Sequence, residues 1–169
     1  MTRAAPLGAV CCIIERKKIV MDIPHTVLVV ALIIQIYNLG TIWFCQLAVY
    51  PLFARVGPAE YAAYHRFYTS HIMFQVIIPG FLSFLLPVVV LLWLPASVPV
   101  WMAVANAAMG IVGLLVTLGL EIPRHNKLDH GKDDRLIQEL ISYNWPRTAS
   151  ITVSAVLTLA MATHAFTAA

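Results

Sequence analysis

Four apolar runs divide the chain, at residues 26–53, 71–94, 100–120 and 146–166. Each is long enough for the roughly 20 helical residues that cross a hydrocarbon layer about 30 Å thick. Strands of about ten residues with alternating hydropathy, the mark of a membrane barrel, are not in the pattern. It predicts an all-α membrane protein, a bundle of four transmembrane helices. No repeat or Gly-rich linker interrupts it, so residues 21–169 read as one domain.

Polar positions add detail to each run. The stretch YAAYHRFYTSHIMFQ, at 61–75, enters the second run with no breaker before Pro79. Helix two is therefore expected to begin near Pro58 and to bend near Pro79 or Pro87. Tyr64, Tyr68, His71 and Gln75 then share one face, and His65 lies about 120° around from His71. In the third run Asn106, Gly110, Gly113, Thr117 and Glu121 form one stripe, and Ser150, Ser154 and Thr158 another in the fourth. Small residues at such positions let helices approach closely. Between runs three and four, DDRLIQELISY sets Leu136, Ile137, Leu140 and Ile141 against Asp133, Asp134, Gln138 and Ser142. That predicts an amphipathic helix lying on the membrane surface as a lid. Asn144, just before Trp145 and Pro146, has the form of an N-cap with proline in the first turn of helix four.

Composition agrees with a bilayer. The chain is 60% hydrophobic and 11% charged, with mean hydropathy +0.82, where a soluble domain carries about 25% charge. A net charge of +3 is too small and too dispersed to argue for nucleic acid. Cys11, Cys12 and Cys45 have neither disulfide-framework nor zinc spacing. Residues 1–20 hold an apolar run too short to span, followed by its charges, and are expected to be an extension without chemistry ahead of Met21.

Charge distribution also orients the chain. Arg55, Arg66, Arg124, Lys127, Lys132, Arg135 and Arg147 fall in the 54–70 and 121–145 connections or just beyond them; Arg3, Arg16, Lys17 and Lys18 fall on the opposite side. The positive-inside rule places both connections in the cytoplasm and both termini outside, in a bacterial-type inner (plasma) membrane.

Ten of the chain's nineteen Lys, Arg, Asp and Glu side chains fall within residues 121–148. Two of them stand against the dipole of their own predicted helix: Glu121 at a carboxyl end and Arg147 in a first turn. They predict either a structural ion pair, or an Arg147 that holds an anionic or enolate oxygen of a ligand while Glu121 orients it. His71 and His125 are the candidate bases, since imidazole titrates near neutrality. Tyr64, Tyr68, Gln75, Asn126, Asn144 and Trp145 are the candidate substrate contacts. His125 with Asp129 and His130 with Asp134 are i, i+4 pairs. There is no phosphate loop, nucleophile elbow, HExxH or paired ExxH motif. No metal is assigned; were one bound, His71, Glu121 and His125 would be its ligands. The residues name no cofactor.

The segment Ile122, Pro123, Asn126 and Leu128, followed by Trp145 and Arg147 in NWPRT, resembles the pattern of a family of small four-helix membrane proteins that includes the anthrone oxygenases of aromatic polyketide pathways. The likeness covers about residues 115–165, with the first two helices alike only in hydropathy. It implies an oxygenase that inserts oxygen into an activated, electron-rich carbon of an aromatic substrate, and leaves open whether metal or flavin takes part. Asn126, Trp145 and Arg147 are the matching positions. Two other functions fit the same residues: an accessory subunit of a larger membrane complex, with partner subunits covering the lipid-facing sides, and a metal or haem protein using His65, His71 and His125.

Overall fold

The computed structural model describes residues 22–167. The expected extension at 1–20, with Cys11, Cys12 and its four basic residues, lies outside them. The described residues form five helices and no strand: α1 (Ile23–Phe53), α2 (Pro58–His71), α3 (Met73–Leu92), α4 (Val100–Leu128) and α5 (Asp134–Thr167). All but α2 are long and apolar enough to cross a membrane. They close into a ring in which α1 packs against α3 and α5, and α4 packs against the same two from the opposite corner. The four-helix bundle expected from the apolar runs is therefore present.

Proline explains the interior of these helices. A proline inside a helix removes one amide donor, and its ring crowds the carbonyl four residues earlier. Three π-helical turns, Cys45–Val49, Met73–Ile77 and Thr117–Glu121, each end two residues before a proline, at Pro51, Pro79 and Pro123. Widening the turn removes the clash without ending the helix. In lipid the freed carbonyls still need donors. Tyr37 Oη donates to the Gln75 carbonyl at 3.0 Å, four residues before Pro79. Gln35 Nε2 donates to the Ser83 carbonyl at 2.7 Å, four residues before Pro87.

The bundle interior has three levels. Toward the termini an apolar cluster includes Leu28, Val90, Met102 and Met161. At mid-depth, polar side chains tie the helices together: Gln35 Nε2 donates to Ser154 Oγ at 2.8 Å, Ser154 Oγ to Asn106 Oδ1 at 2.5 Å, and Asn38 Nδ2 to Ser83 Oγ at 2.6 Å. At the other end Phe53, Tyr61, Leu128, Ile137 and Leu140 form a second apolar cluster. The stripe from Asn106 to Glu121 and the Ser150, Ser154, Thr158 stripe are both buried, as expected.

Two expectations are corrected. Helix two starts at Pro58 but is interrupted at Ile72 (φ −90°, ψ 3°), so α2 and α3 are separate. Ser70 Oγ and the His71 ring both bond the Phe67 carbonyl, at 2.9 and 2.7 Å, closing off the last turn of α2. The amphipathic segment 133–142 is not a surface helix. It is the first part of α5, which runs unbroken through Pro146 for 34 residues. Its apolar side finds a better partner than lipid headgroups, because Ile137 and Leu140 are fully buried against Phe53, Tyr61 and Leu128. Asn144 is consequently mid-helix and caps nothing, and neither Glu121 nor Arg147 sits at a helix end.

Close approach is tightest between α3 and α4. A Cβ on Gly110 would stand 2.5 Å from the Phe84 backbone carbonyl oxygen, whereas one on Gly119 would meet nothing within 4 Å. Gly110→Ala is expected to destabilise the bundle by about 1–3 kcal/mol, read as a lowered thermal midpoint in detergent, with Gly119→Ala close to wild type.

Candidate functional site

Below the second apolar cluster the four long helices and α2 enclose a cavity of about 280 Å³. Its apolar wall comes from Ile72, Ile77, Phe81, Phe84 and Ile151, and its polar end from Tyr50, Glu121, His125, Asn126 and Arg147. A lateral groove between α1 and the start of α3, lined by Tyr37, Phe44 and Gln75, shares Thr41, Tyr68, Ile72 and Val76 with the cavity.

Arg147 is held from two sides. Its Nε donates to Asn144 Oδ1 at 2.7 Å and its Nη2 to the Tyr50 hydroxyl at 2.9 Å. Asn144 is oriented in turn, its Nδ2 donating to Gln46 Oε1 at 2.7 Å, and Gln46 Nε2 donates to the Ile141 carbonyl at 3.1 Å. Asn144 is thus the positioning residue for the guanidinium rather than a substrate contact or a cap.

Glu121 shares this cavity and is 1% exposed, yet neither of its carboxylate oxygens has a hydrogen-bond donor among the described residues. The structural ion pair expected between Glu121 and Arg147 is not formed. Leaving an ionised carboxylate buried and unmatched costs several kcal/mol, so this arrangement does not serve stability.

His125 stands at the top of the cavity in contact with His65. The His65 side chain is fully buried, with Nδ1 2.6 Å from Asp129 Oδ1 and Nε2 3.1 Å from His125 Nδ1. His125 Nε2 lies 3.4 Å from the Tyr50 hydroxyl. Phe53 presses edge-on against both imidazoles and Tyr68. Burial holds His65 below the usual imidazole range, against the upward pull of Asp129. Burial also raises the phenol of Tyr68, which lines the cavity as a neutral hydroxyl.

Of the residues singled out by sequence, His125, Glu121, Arg147, Tyr68 and Asn126 meet at the cavity. His71, Tyr64, Gln75 and Trp145 do not. His71 is exposed and stacked on Phe67 with centroids 4.0 Å apart, because the break at Ile72 turns the end of α2 away from the bundle. Gln75 is exposed beside the lateral groove, Tyr64 packs outside on Phe53, and Trp145 is 46% exposed in edge contact with Trp43. The trio His71, Glu121 and His125 therefore does not converge, nor does the haem set His65, His71 and His125. Among the described residues no group of three His, Cys, Asp or Glu side chains is arranged to hold a metal ion.

Sequence reasoning passed over Tyr50, Gln46 and the role of Asp129. Gln46 carried a signal, as an amide inside an apolar run needs a partner within the bundle. Tyr50 precedes Pro51, where the π turn rotates it inward. Asp129 was matched with His125 by i, i+4 spacing, but it turns instead to His65 on another helix. Comparisons of the chain with protein-family models, with curated proteins and with solved structures find no match to any of them.

Proposed function

We propose that this integral membrane protein is an oxygenase-like oxidoreductase acting on a hydrophobic, aromatic substrate that carries an enolisable carbonyl or an acidic hydroxyl. One observation carries the reading: an unmatched carboxylate and an incompletely matched guanidinium share a mostly apolar cavity inside the bundle. Such a pair suits a ligand whose oxygen accepts from Arg147 while a hydroxyl donates to Glu121, with a flat apolar body against Phe81 and Phe84. The groove beside α1 supports arrival of that substrate sideways from the bilayer.

The chemistry would begin with His125 removing a proton from carbon or oxygen as Arg147 stabilises the enolate or phenolate. Dioxygen is the oxidant. A substrate CH₂ becomes C=O, one oxygen atom staying in the product and the other leaving as water. The resemblance of the 122–128 and 145–147 segments to the anthrone-oxygenase family supports this finer assignment.

Arg147→Ala is expected to lower kcat/KM for oxygen consumption with an anthrone-class substrate by roughly 10²–10³-fold, the loss seen when one oxyanion donor is removed. Glu121→Gln should chiefly weaken substrate binding. Arg135→Ala, whose side chain is 87% exposed, should leave turnover unchanged. Wild-type protein in nanodiscs that consumes no oxygen with such substrates would refute the assignment.

The basic connections support a cytoplasmic position for this end of the bundle in a bacterial-type plasma membrane. A cysteine placed at His130, which is exposed, in a background lacking native cysteines should resist impermeant reagents added to intact cells. Labelling from outside would reverse the orientation.

A further inference from the structure

Between the cavity and the membrane face runs an unbroken chain of polar contacts drawn from four helices. Arg147 Nη2 donates to Tyr50 Oη at 2.9 Å, Tyr50 Oη lies 3.4 Å from His125 Nε2, His125 Nδ1 3.1 Å from His65 Nε2, and His65 Nδ1 2.6 Å from Asp129 Oδ1. Direction follows from the two ends. Arg147 can only donate and a carboxylate accepts. With neutral imidazoles, one tautomer assignment then uses every contact: both rings carry hydrogen on Nδ1 and accept at Nε2.

The geometry points to Tyr50, His125, His65 and Asp129 as a one-way proton relay that makes His125 Nε2 the proton acceptor at the cavity and Asp129 the exit at the membrane face. This deepens the proposed function and rests on the cavity being a place where a ligand loses a proton. His65 and Asp129 are then positioning residues acting through His125, and Tyr50 is the group a ligand hydroxyl works beside or replaces. The longest contact is the one at the cavity, where such a hydroxyl would sit.

The step balances. The proton of Tyr50, or of a ligand hydroxyl in its place, passes to His125 Nε2. The proton on His125 Nδ1 moves to His65 Nε2, and that on His65 Nδ1 to Asp129 Oδ1. An oxyanion remains beside the Arg147 guanidinium, both rings stay neutral with tautomers exchanged, and Asp129 becomes a neutral carboxyl. Neither ring carries a charge at either stage, and the charge that forms on the oxygen stands beside Arg147, as a low-dielectric path requires.

Surrounding groups fit the role. The Asp129 side chain is 31% exposed, so its proton reaches solvent, while that of His65 is fully enclosed. Thr69 Oγ1 donates to the same Asp129 oxygen at 3.4 Å, and Arg66 reaches the Asp129 carbonyl at 3.5 Å. Tyr61 stacks on His65 and Phe53 seals its edge, excluding water from the link between the rings. If α5 spans with its apolar part, its 34 residues make a rod of about 50 Å against a hydrocarbon core of about 30 Å. The end of the bundle next to Asp129, which lies in the connection between α4 and α5, thus stands at the interface.

The test uses full-length protein in lipid nanodiscs, with ¹⁵N-histidine spectra and 4-nitrophenol as a probe whose colour reports ionisation. The expected result is Nδ1–H with bare Nε2 on both His65 and His125, and nitrophenol bound as the phenolate. Asp129→Asn should lower the ratio of ionised to neutral bound probe by about tenfold, one unit in the probe's pKa, and Asp129→Glu should restore it. Hydrogen on Nε2 of His125, or an Asp129→Asn protein that ionises the probe like wild type, overturns the relay. Wild type that binds no nitrophenol counts against the cavity reading instead, and the ring-nitrogen spectra alone then decide the relay.

Discussion

A guanidinium cannot rest inside a lipid-embedded bundle unless the surrounding protein replaces its water. Arg147 is buried in α5, and much of the architecture at this end follows from that requirement. Tyr50 must turn inward to meet Nη2, and Asn144 must give its carbonyl oxygen to Nε. Asn144 then needs Gln46, and Gln46 needs the Ile141 carbonyl. A single charge thereby fixes α1 against α5 through three polar side chains, Tyr50, Asn144 and Gln46, and one backbone carbonyl. The remaining capacity of the guanidinium is left to the cavity.

Prolines supply the geometry that this network uses. Pro51 and Pro123 each widen the preceding turn, and those turns carry Gln46 and Glu121. A regular helix would rotate these side chains to other positions, because a π turn inserts one residue and shifts everything beyond it by about 100°. Tyr50 follows directly after the first of these turns. Cys45, Gln46 and Tyr50 are all buried as a result. The same devices that keep the backbone bonded in lipid thus aim the cavity's polar groups.

Much of the fold was legible because lipid imposes a coarse code: length and hydropathy gave the four crossings, and small residues gave the α4 and α5 contact faces. Glu121 and Arg147 stood out as charges at one depth, and they do share a cavity. Neither stands against the dipole of its helix, since α4 and α5 continue past both residues. Residues 133–142 were misread for a related reason: an amphipathic face does not say whether it meets headgroups or protein. His71 and His65 exchanged roles because a break at Ile72, set by side-chain capping at Phe67, leaves no mark in the apolar pattern. The pairing of His65 with Asp129, 64 positions away in sequence, is a tertiary fact that no local spacing encodes.

In the proposed function, Arg147 and Glu121 are kept apart for a ligand rather than for each other. An experimental structure in nanodiscs, determined with a hydroxyaromatic ligand, tests it most directly. The expected result is a ligand oxygen within about 3 Å of the Arg147 guanidinium, a second polar atom at the Glu121 carboxylate, and the aromatic body along Phe81 and Phe84. A direct Arg147–Glu121 ion pair, with the cavity collapsed and the ligand bound elsewhere, would contradict it.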